Sequence, residues 1–194
     1  MDVAVKENPT RNKIHPKKFA MYASCASIVM LFASLTSGYI VRQSQGNWVE
    51  FAIPNMFWWS TVCIVGSSVT LYLSYSFFKK NSTSLYRIFL VATLFLAIGF
   101  CTSQYQGWLE IKNISGLPLG ANPSADFVYV LTMLHVAHVF GGMIVLLTAL
   151  FHAFYLQHRV TKTRLLRFEL SMIYWHFVDF VWLYLLLFFM FNRT

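Results

Sequence analysis

Five apolar runs restrict what this chain can fold into more than any other feature of its sequence. They cover residues 19–41, 56–78, 85–105, 127–154 and 170–191. A helix of about 20 apolar residues crosses the hydrocarbon core of a bilayer, and a segment in that core must pair its backbone polar groups internally. The sequence therefore predicts an all-α membrane protein: a bundle of five transmembrane helices forming one domain over residues 19–192.

The composition fits a membrane protein and argues against a nucleic-acid-binding one. The chain is 57% apolar and 11% charged, with 19 phenylalanines in 194 residues, unlike a soluble domain. Its net charge of +8 comes from Lys and Arg in short segments between the apolar runs, whereas a nucleic-acid surface clusters them beside a binding motif. We therefore expect no nucleic-acid partner.

The distribution of Lys and Arg predicts the orientation of the chain. Residues 1–18 carry five of these residues and two prolines, and we expect them to form a mobile basic arm. The arm and the connections after the second and fourth runs together hold twelve Lys and Arg, and the opposite side holds three. Because positive charge marks the cytoplasmic side, the sequence predicts a cytoplasmic N-terminus and a periplasmic C-terminus.

The longest external connection, residues 106–126, contains Gly116, Pro118, Gly120 and Pro123. Glycine and proline interrupt regular helices. We therefore expect this connection to be an irregular surface segment.

The last two apolar runs carry ionisable side chains. His176 and Asp179 are three residues apart, and Glu169 precedes His176 by seven, so the three share one helix face. His135 and His138 share a face of the fourth run. Such groups are costly in hydrocarbon and face protein. At a rise of about 1.5 Å per residue, the two runs place their histidines at similar depth, which predicts one interhelical polar network of these five residues.

Three other residues are predicted to pack helices together. Gly142 follows the two histidines on their stripe and permits close approach of another helix. Trp175 and Trp182, seven residues apart, mark a second stripe on the fifth run.

A haem or metal site is the alternative interpretation of the same residues. Histidines on two helices at one depth can ligate a haem iron, and a His/His/Asp set can hold a transition metal. Under this interpretation, the chain is an independent redox carrier that binds haem between His138 and His176. Mutual pairing, however, satisfies buried polar groups without a cofactor, and a dihaem carrier requires a second pair of histidines. The residues alone leave both interpretations open.

The last two runs also resemble a known family, subunit III of haem-copper terminal oxidases. The similarity extends over most of residues 55–190, and five spans correspond to the short bacterial type. The strongest matching elements are Phe168-Glu169, Tyr174-Trp175-His176-Phe177-Val178-Asp179 and Val181-Trp182, and the His-x-x-His-Val-x-x-Gly element from His135 to Gly142. Weaker matches are Gln104 and Trp108, and Ser67, Ser68 and Thr70.

The resemblance implies a function that the residues alone do not. It implies a non-catalytic subunit of a proton-pumping respiratory oxidase, which reduces O2 to water in aerobic electron transport. It implies no catalytic, cofactor or metal residues in this chain, and haem and copper in partner subunits. The partners implied are subunit I in direct contact, subunit II, other oxidase subunits, bound phospholipid and a larger respiratory supercomplex, all in the bacterial plasma membrane. Whether cytochrome c or quinol supplies the electrons is decided in other subunits.

Two positions depart from the family pattern. The carboxylate found in the middle of the corresponding first helix is replaced by Ile28. A second acid, expected three residues after Gln104, is replaced by Gly107, with Glu110 nearby. The resemblance therefore does not extend to a proton-carrying acid in the first helix.

Overall fold

The computed structural model describes residues 15–155 and 161–192. These residues form five helices and no strand: α1 (Pro16–Gln43), α2 (Asn55–Lys79), α3 (Thr83–Asn113), α4 (Pro123–Tyr155) and α5 (Lys162–Phe191). Each helix is long and apolar enough to cross a membrane, and each contains one of the five apolar runs. The prediction of an all-α protein with five transmembrane helices is confirmed.

The start of α1 differs from the predicted boundary of the basic arm. The helix begins at Pro16, so Lys17 and Lys18 belong to its first turn. Proline suits the first position of a helix because its missing N–H has no intrahelical partner there. Residues 1–14 of the predicted arm lie outside the described residues.

The end of α3 corrects the prediction for residues 106–126. Helix α3 continues to Asn113, so the first part of this connection is helical and only the part before α4 is irregular. The reason is that the helix-interrupting residues begin at Gly116, which adopts a positive φ of 66°. Gly107, which lies earlier in the connection, is inside the helix, where an isolated glycine is tolerated.

Helices α2 to α5 form a ring in which α5 closes against α2. Helix α1 lies outside this ring and packs on α4 and α5; in the described part of the chain it makes no close backbone contact with α2. Helix α5 is the most buried of the five and α1 the least. The surface of α5 between α1 and α2 is therefore left uncovered by the described residues of this chain.

Candidate functional site

His176 and Asp179 lie where α5 contacts α2, and Ser68 of α2 joins them. The Ser68 hydroxyl donates a hydrogen bond to Asp179 Oδ2, and its Oγ lies 2.8 Å from His176 Nδ1. His176 Nδ1 and Asp179 Oδ2 are 4.0 Å apart. The serine therefore bridges the imidazole and the carboxylate.

This cluster opens at the surface of the bundle. The side chain of His176 is 39% exposed, whereas that of Asp179 is 8% exposed. Asp179 Oδ1 is buried without a hydrogen-bond partner in the described part of the chain. No hydrogen bond joins His176 Nε2 to another described residue. Of the two imidazole nitrogens, only Nδ1 is therefore hydrogen-bonded within the described part of the chain.

Glu169 belongs to a separate cluster nearer the start of α5. Its Oε2 lies 2.8 Å from Lys18 Nζ, and its Oε1 accepts a hydrogen bond of 2.9 Å from the Tyr75 hydroxyl. Lys79 Nζ lies 4.4 Å from the centre of the Tyr75 ring. These contacts connect α1, α2 and α5 at one end of the bundle. Sequence reasoning missed Lys18 and Tyr75. Lys18 falls within the residues predicted to form the basic arm.

His135 lies in the interior of the bundle and contacts aromatic rings. The side chain is fully buried. Its ring centre is 5.5 Å from that of Trp182, 5.7 Å from that of Phe100 and 6.3 Å from that of Phe32. Neither ring nitrogen has a hydrogen-bond partner within residues 15–155 and 161–192. The imidazole acts here as a flat ring that fills space.

His138 makes its side-chain hydrogen bond within its own helix. Its Nδ1 lies 2.8 Å from the carbonyl oxygen of Leu134, and its ring centre is 5.7 Å from that of Phe32 on α1. The Tyr174 hydroxyl of α5 donates to the backbone carbonyl of His138 over 3.0 Å. The contact between α4 and α5 at this residue therefore uses its backbone.

The five ionisable residues thus occupy separate places. The structure joins His176 to Asp179, but among the described hydrogen bonds and ion pairs none links this pair to His135, His138 or Glu169. This corrects the expectation of one connected network. The reason is helix rotation: the fourth-helix histidines contact α1 and the interior, whereas His176 faces α2.

The same rotation decides whether these residues fit a haem or a metal ion. His138 lies against Phe32 of α1 and His176 against Ser68 of α2, and these two helices do not approach each other. The imidazoles therefore do not face each other across one planar group. In the described ranges, no three His, Cys, Asp or Glu side chains are grouped so that they can hold a metal ion. The residues do not fit either group.

The three predicted packing residues lie at close contacts of α5. A Cβ atom at Gly142 would be 2.9 Å from Trp175 Cε3, so a larger residue would force α4 away from α5. Trp175 Nε1–H donates to Ser67 Oγ over 2.9 Å, and Trp182 Nε1–H donates to Thr61 Oγ1 over 2.9 Å. Both tryptophans therefore connect α5 to α2.

Apolar contacts surround the two positions that depart from the family pattern. A Cβ atom at Gly107 would lie 2.5 Å from Phe57 Cε1, so the phenyl ring occupies the space that a side chain would need. Ile28 packs against the hydrophobic core. Neither surrounding suits a carboxylate.

A cleft of about 760 Å³ lies between α1, α4 and α5. Its walls include Met21, Val145 and Leu170, and Arg164 and Arg167 lie near the start of α5. The cleft therefore combines an apolar wall with two cationic side chains at one end of the bundle.

Comparison with known proteins identifies the class to which this bundle belongs. Residues 49–193 match the family model described as cytochrome c oxidase subunit III. The chain belongs to this family, and the resemblance found in its motifs is confirmed. Membership implies association with other oxidase subunits in a membrane.

Three relatives show how far the similarity extends. The cytochrome bo(3) ubiquinol oxidase subunit 3 of Buchnera aphidicola is 25% identical over 183 residues, which is 92% of this chain and 93% of that protein. Cytochrome c oxidase subunit 3 of Pyricularia grisea is 36% identical over 128 residues, 65% of this chain and 45% of that protein. The haem-copper oxidase subunit I+III of Aeropyrum pernix is 30% identical over 176 residues, 84% of this chain and 21% of that protein.

Proposed function

We propose that this chain is the non-catalytic subunit III of a proton-pumping haem-copper respiratory oxidase, the complex that reduces O2 to water in aerobic electron transport. The observation that carries the proposal is the family match over residues 49–193, which extends from just before α2 to the end of α5. In this role the chain stabilises subunit I and supports proton uptake without binding haem or copper. Those cofactors belong to the partner subunits.

Subunit I is the direct partner in this proposal. The Aeropyrum pernix relative is a single protein named as subunit I+III, which supports adjacency of the two units. Subunit II, the other oxidase subunits and a larger respiratory assembly complete the surroundings. The relatives include both a ubiquinol oxidase and a cytochrome c oxidase subunit, so both electron donors occur among similar proteins.

The proposed location is the bacterial plasma membrane, with the N-terminus in the cytoplasm. Lys18 and Lys79 meet around Glu169 and Tyr75 at the same end of the bundle. Basic residues concentrate on the cytoplasmic side of membrane proteins. The ion-pair cluster therefore supports the proposed orientation, with this end of the bundle in the cytoplasm.

The cleft between α1, α4 and α5 is the proposed site of a bound phospholipid. Its apolar wall, with Met21 and Val145, suits an acyl chain, and Arg164 and Arg167 suit a phosphate. Two arginines at the proposed cytoplasmic end match the level of the headgroups.

Co-purification tests the proposal. The chain carries an affinity tag and is extracted from its native membrane in mild detergent, and the companion chains are identified by mass. We expect haem-carrying oxidase subunits in the complex and no haem absorption from the chain once it is separated. Purification without haem-carrying partners would contradict the subunit assignment, and a stoichiometric Soret band from the separated chain would favour a redox carrier.

A further inference from the structure

One surface of the bundle presents a polar centre with apolar surroundings. It consists of Val65, Ser68 and Tyr72 on α2 and His176 and Phe180 on α5, and we call it the α2–α5 surface. The spacing places each set on one face of its helix. Because α1 does not approach α2, residues 15–155 and 161–192 leave the surface open, and Phe180 is 69% exposed on it.

Lipid cannot satisfy the polar centre of this surface. His176 lies within a membrane-spanning helix, where an ionisable side chain is costly unless it faces protein or a water-filled space. The outer faces of α3 and α4 are different, because they expose large apolar side chains. These are Ile88, Phe95 and Ile98 on α3 and Phe140, Ile144 and Leu147 on α4. Those faces suit hydrocarbon, whereas the α2–α5 surface requires a polar partner.

The hydrogen bonds inside the cluster determine what that partner must offer. Ser68 Oγ contacts both Asp179 Oδ2 and His176 Nδ1, so Nδ1 of the imidazole already has its partner. Nε2 has no hydrogen-bond partner among the described residues. A partner at this depth must therefore present a polar group that can hydrogen-bond to Nε2. The exposed aromatic side chains of Tyr72 and Phe180 add the apolar contact area on which interfaces depend.

We propose that the α2–α5 surface is the docking site for a transmembrane helix of subunit I, which presents a polar side chain that hydrogen-bonds to His176 Nε2. The proposal rests on the proposed function, which supplies the partner. It adds the face of the bundle that the partner covers and the contact that fixes its position. The acyl-chain cleft between α1, α4 and α5 lies on a different part of the bundle and stays open to lipid.

A photo-crosslinking experiment in the native membrane tests this assignment. The probe p-benzoylphenylalanine replaces Phe180 on the α2–α5 surface or, as the control, Phe95 on α3. The two positions are matched: both are phenylalanines, they are 69% and 70% exposed, and each lies ten residues after the start of its apolar run, at 85 or 170. A third probe at Val65 reports from α2, so that the test does not depend on one substitution.

We expect irradiation to join the probes at Phe180 and Val65 to the haem-carrying subunit I, with at least a tenfold smaller yield from Phe95. Equal yields from both faces, a protein adduct from Phe95 alone, or adducts at Phe180 and Val65 with lipid or with a second copy of this chain would overturn the docking site. The proposed function fails by a different result, which is seen before irradiation: the tagged chain does not co-purify with haem-carrying subunits.

Discussion

His135 and His176 are the same residue type inside neighbouring helices, but their surroundings differ in every respect. His135 is fully buried among Phe32, Phe100 and Trp182, and neither of its ring nitrogens has a partner in the described structure. His176 is 39% exposed and is bonded through Ser68 to a buried carboxylate. We call these regions the aromatic interior and the α2–α5 surface.

The comparison shows what determines the role of a polar residue in a membrane helix. It is the direction in which the side chain faces around the helix axis, and not its depth in the bilayer. An unsatisfied buried polar atom costs about 1–3 kcal/mol, which the aromatic interior tolerates at His135 because the ring packs on three others. On the α2–α5 surface, His176 Nδ1 and Asp179 Oδ2 are bonded to Ser68, whereas His176 Nε2 and Asp179 Oδ1 have no hydrogen-bond partner among the described residues. The interior therefore holds the bundle together, and the surface is suited to bind a partner.

The largest expected effect separates Trp182 from Phe180, two aromatic residues on α5. Trp182 is fully buried and bonded to Thr61, so Trp182→Ala should lower the free energy of unfolding by about 3–5 kcal/mol. Phe180→Ala, at an exposed position, should change the free energy of unfolding of the separated chain by no more than about 0.5 kcal/mol. SDS titration of the solubilised chain measures both. Equal losses would remove the distinction between interior and surface.

The next effect tests how tightly the interior is packed. Gly142→Ala places a Cβ atom 2.9 Å from Trp175 Cε3, and overpacking of this kind costs about 1–3 kcal/mol. At Gly141 the nearest atom would be Tyr174 Oη at 3.5 Å, so Gly141→Ala should be neutral or stabilising because alanine favours helix over glycine by about 1 kcal/mol. The same titration compares them. A stable Gly142→Ala variant would mean that α4 and α5 are not in close contact.

Two adjacent serines, Ser67 and Ser68, belong to different regions of the molecule and can be compared directly. Ser67 accepts a hydrogen bond from Trp175 in the interior, whereas Ser68 bridges His176 and Asp179. Each hydrogen bond contributes about 1 kcal/mol. Ser67→Ala should therefore lower the stability of the separated chain, and Ser68→Ala should mainly increase release of the chain from the purified complex in detergent. If both variants changed the same quantity, the two serines would not belong to different regions.

The smallest effect is expected at His135. Because its ring nitrogens have no partner in the described ranges, His135→Phe removes two unsatisfied polar atoms and keeps a flat ring. We expect a change in unfolding free energy of no more than about 1 kcal/mol, in line with volume-conserving core substitutions. A loss above about 2 kcal/mol would show that the imidazole nitrogens are used.

The sequence predicts most of the fold because hydropathy and helix length decide it. Every apolar run lies inside one helix. The prediction for residues 106–126 is wrong up to Asn113 because the positive φ of Gly116 ends the helix only at that point. The site is less predictable. Spacing places His135 and His138 on one face, and His176 and Asp179 on another, but it does not give the rotation of one helix against the next. Ser68, which joins the cluster, belongs only to a weak family pattern, and Lys18 lies in the segment that the sequence predicts to be a basic arm.

The most direct test of the claim that the α2–α5 surface binds the partner uses the substitution His176→Phe. It measures how firmly the substituted chain stays attached to the oxidase complex. The matched control is His135→Phe, the same substitution in the aromatic interior. The chain that remains bound after a detergent wash and the initial O2 consumption per haem are measured for both variants. We predict at least tenfold weaker attachment for His176→Phe, unchanged initial O2 consumption, and normal retention of His135→Phe. A His176→Phe complex that stays fully assembled, or that loses turnover at once, would contradict this account.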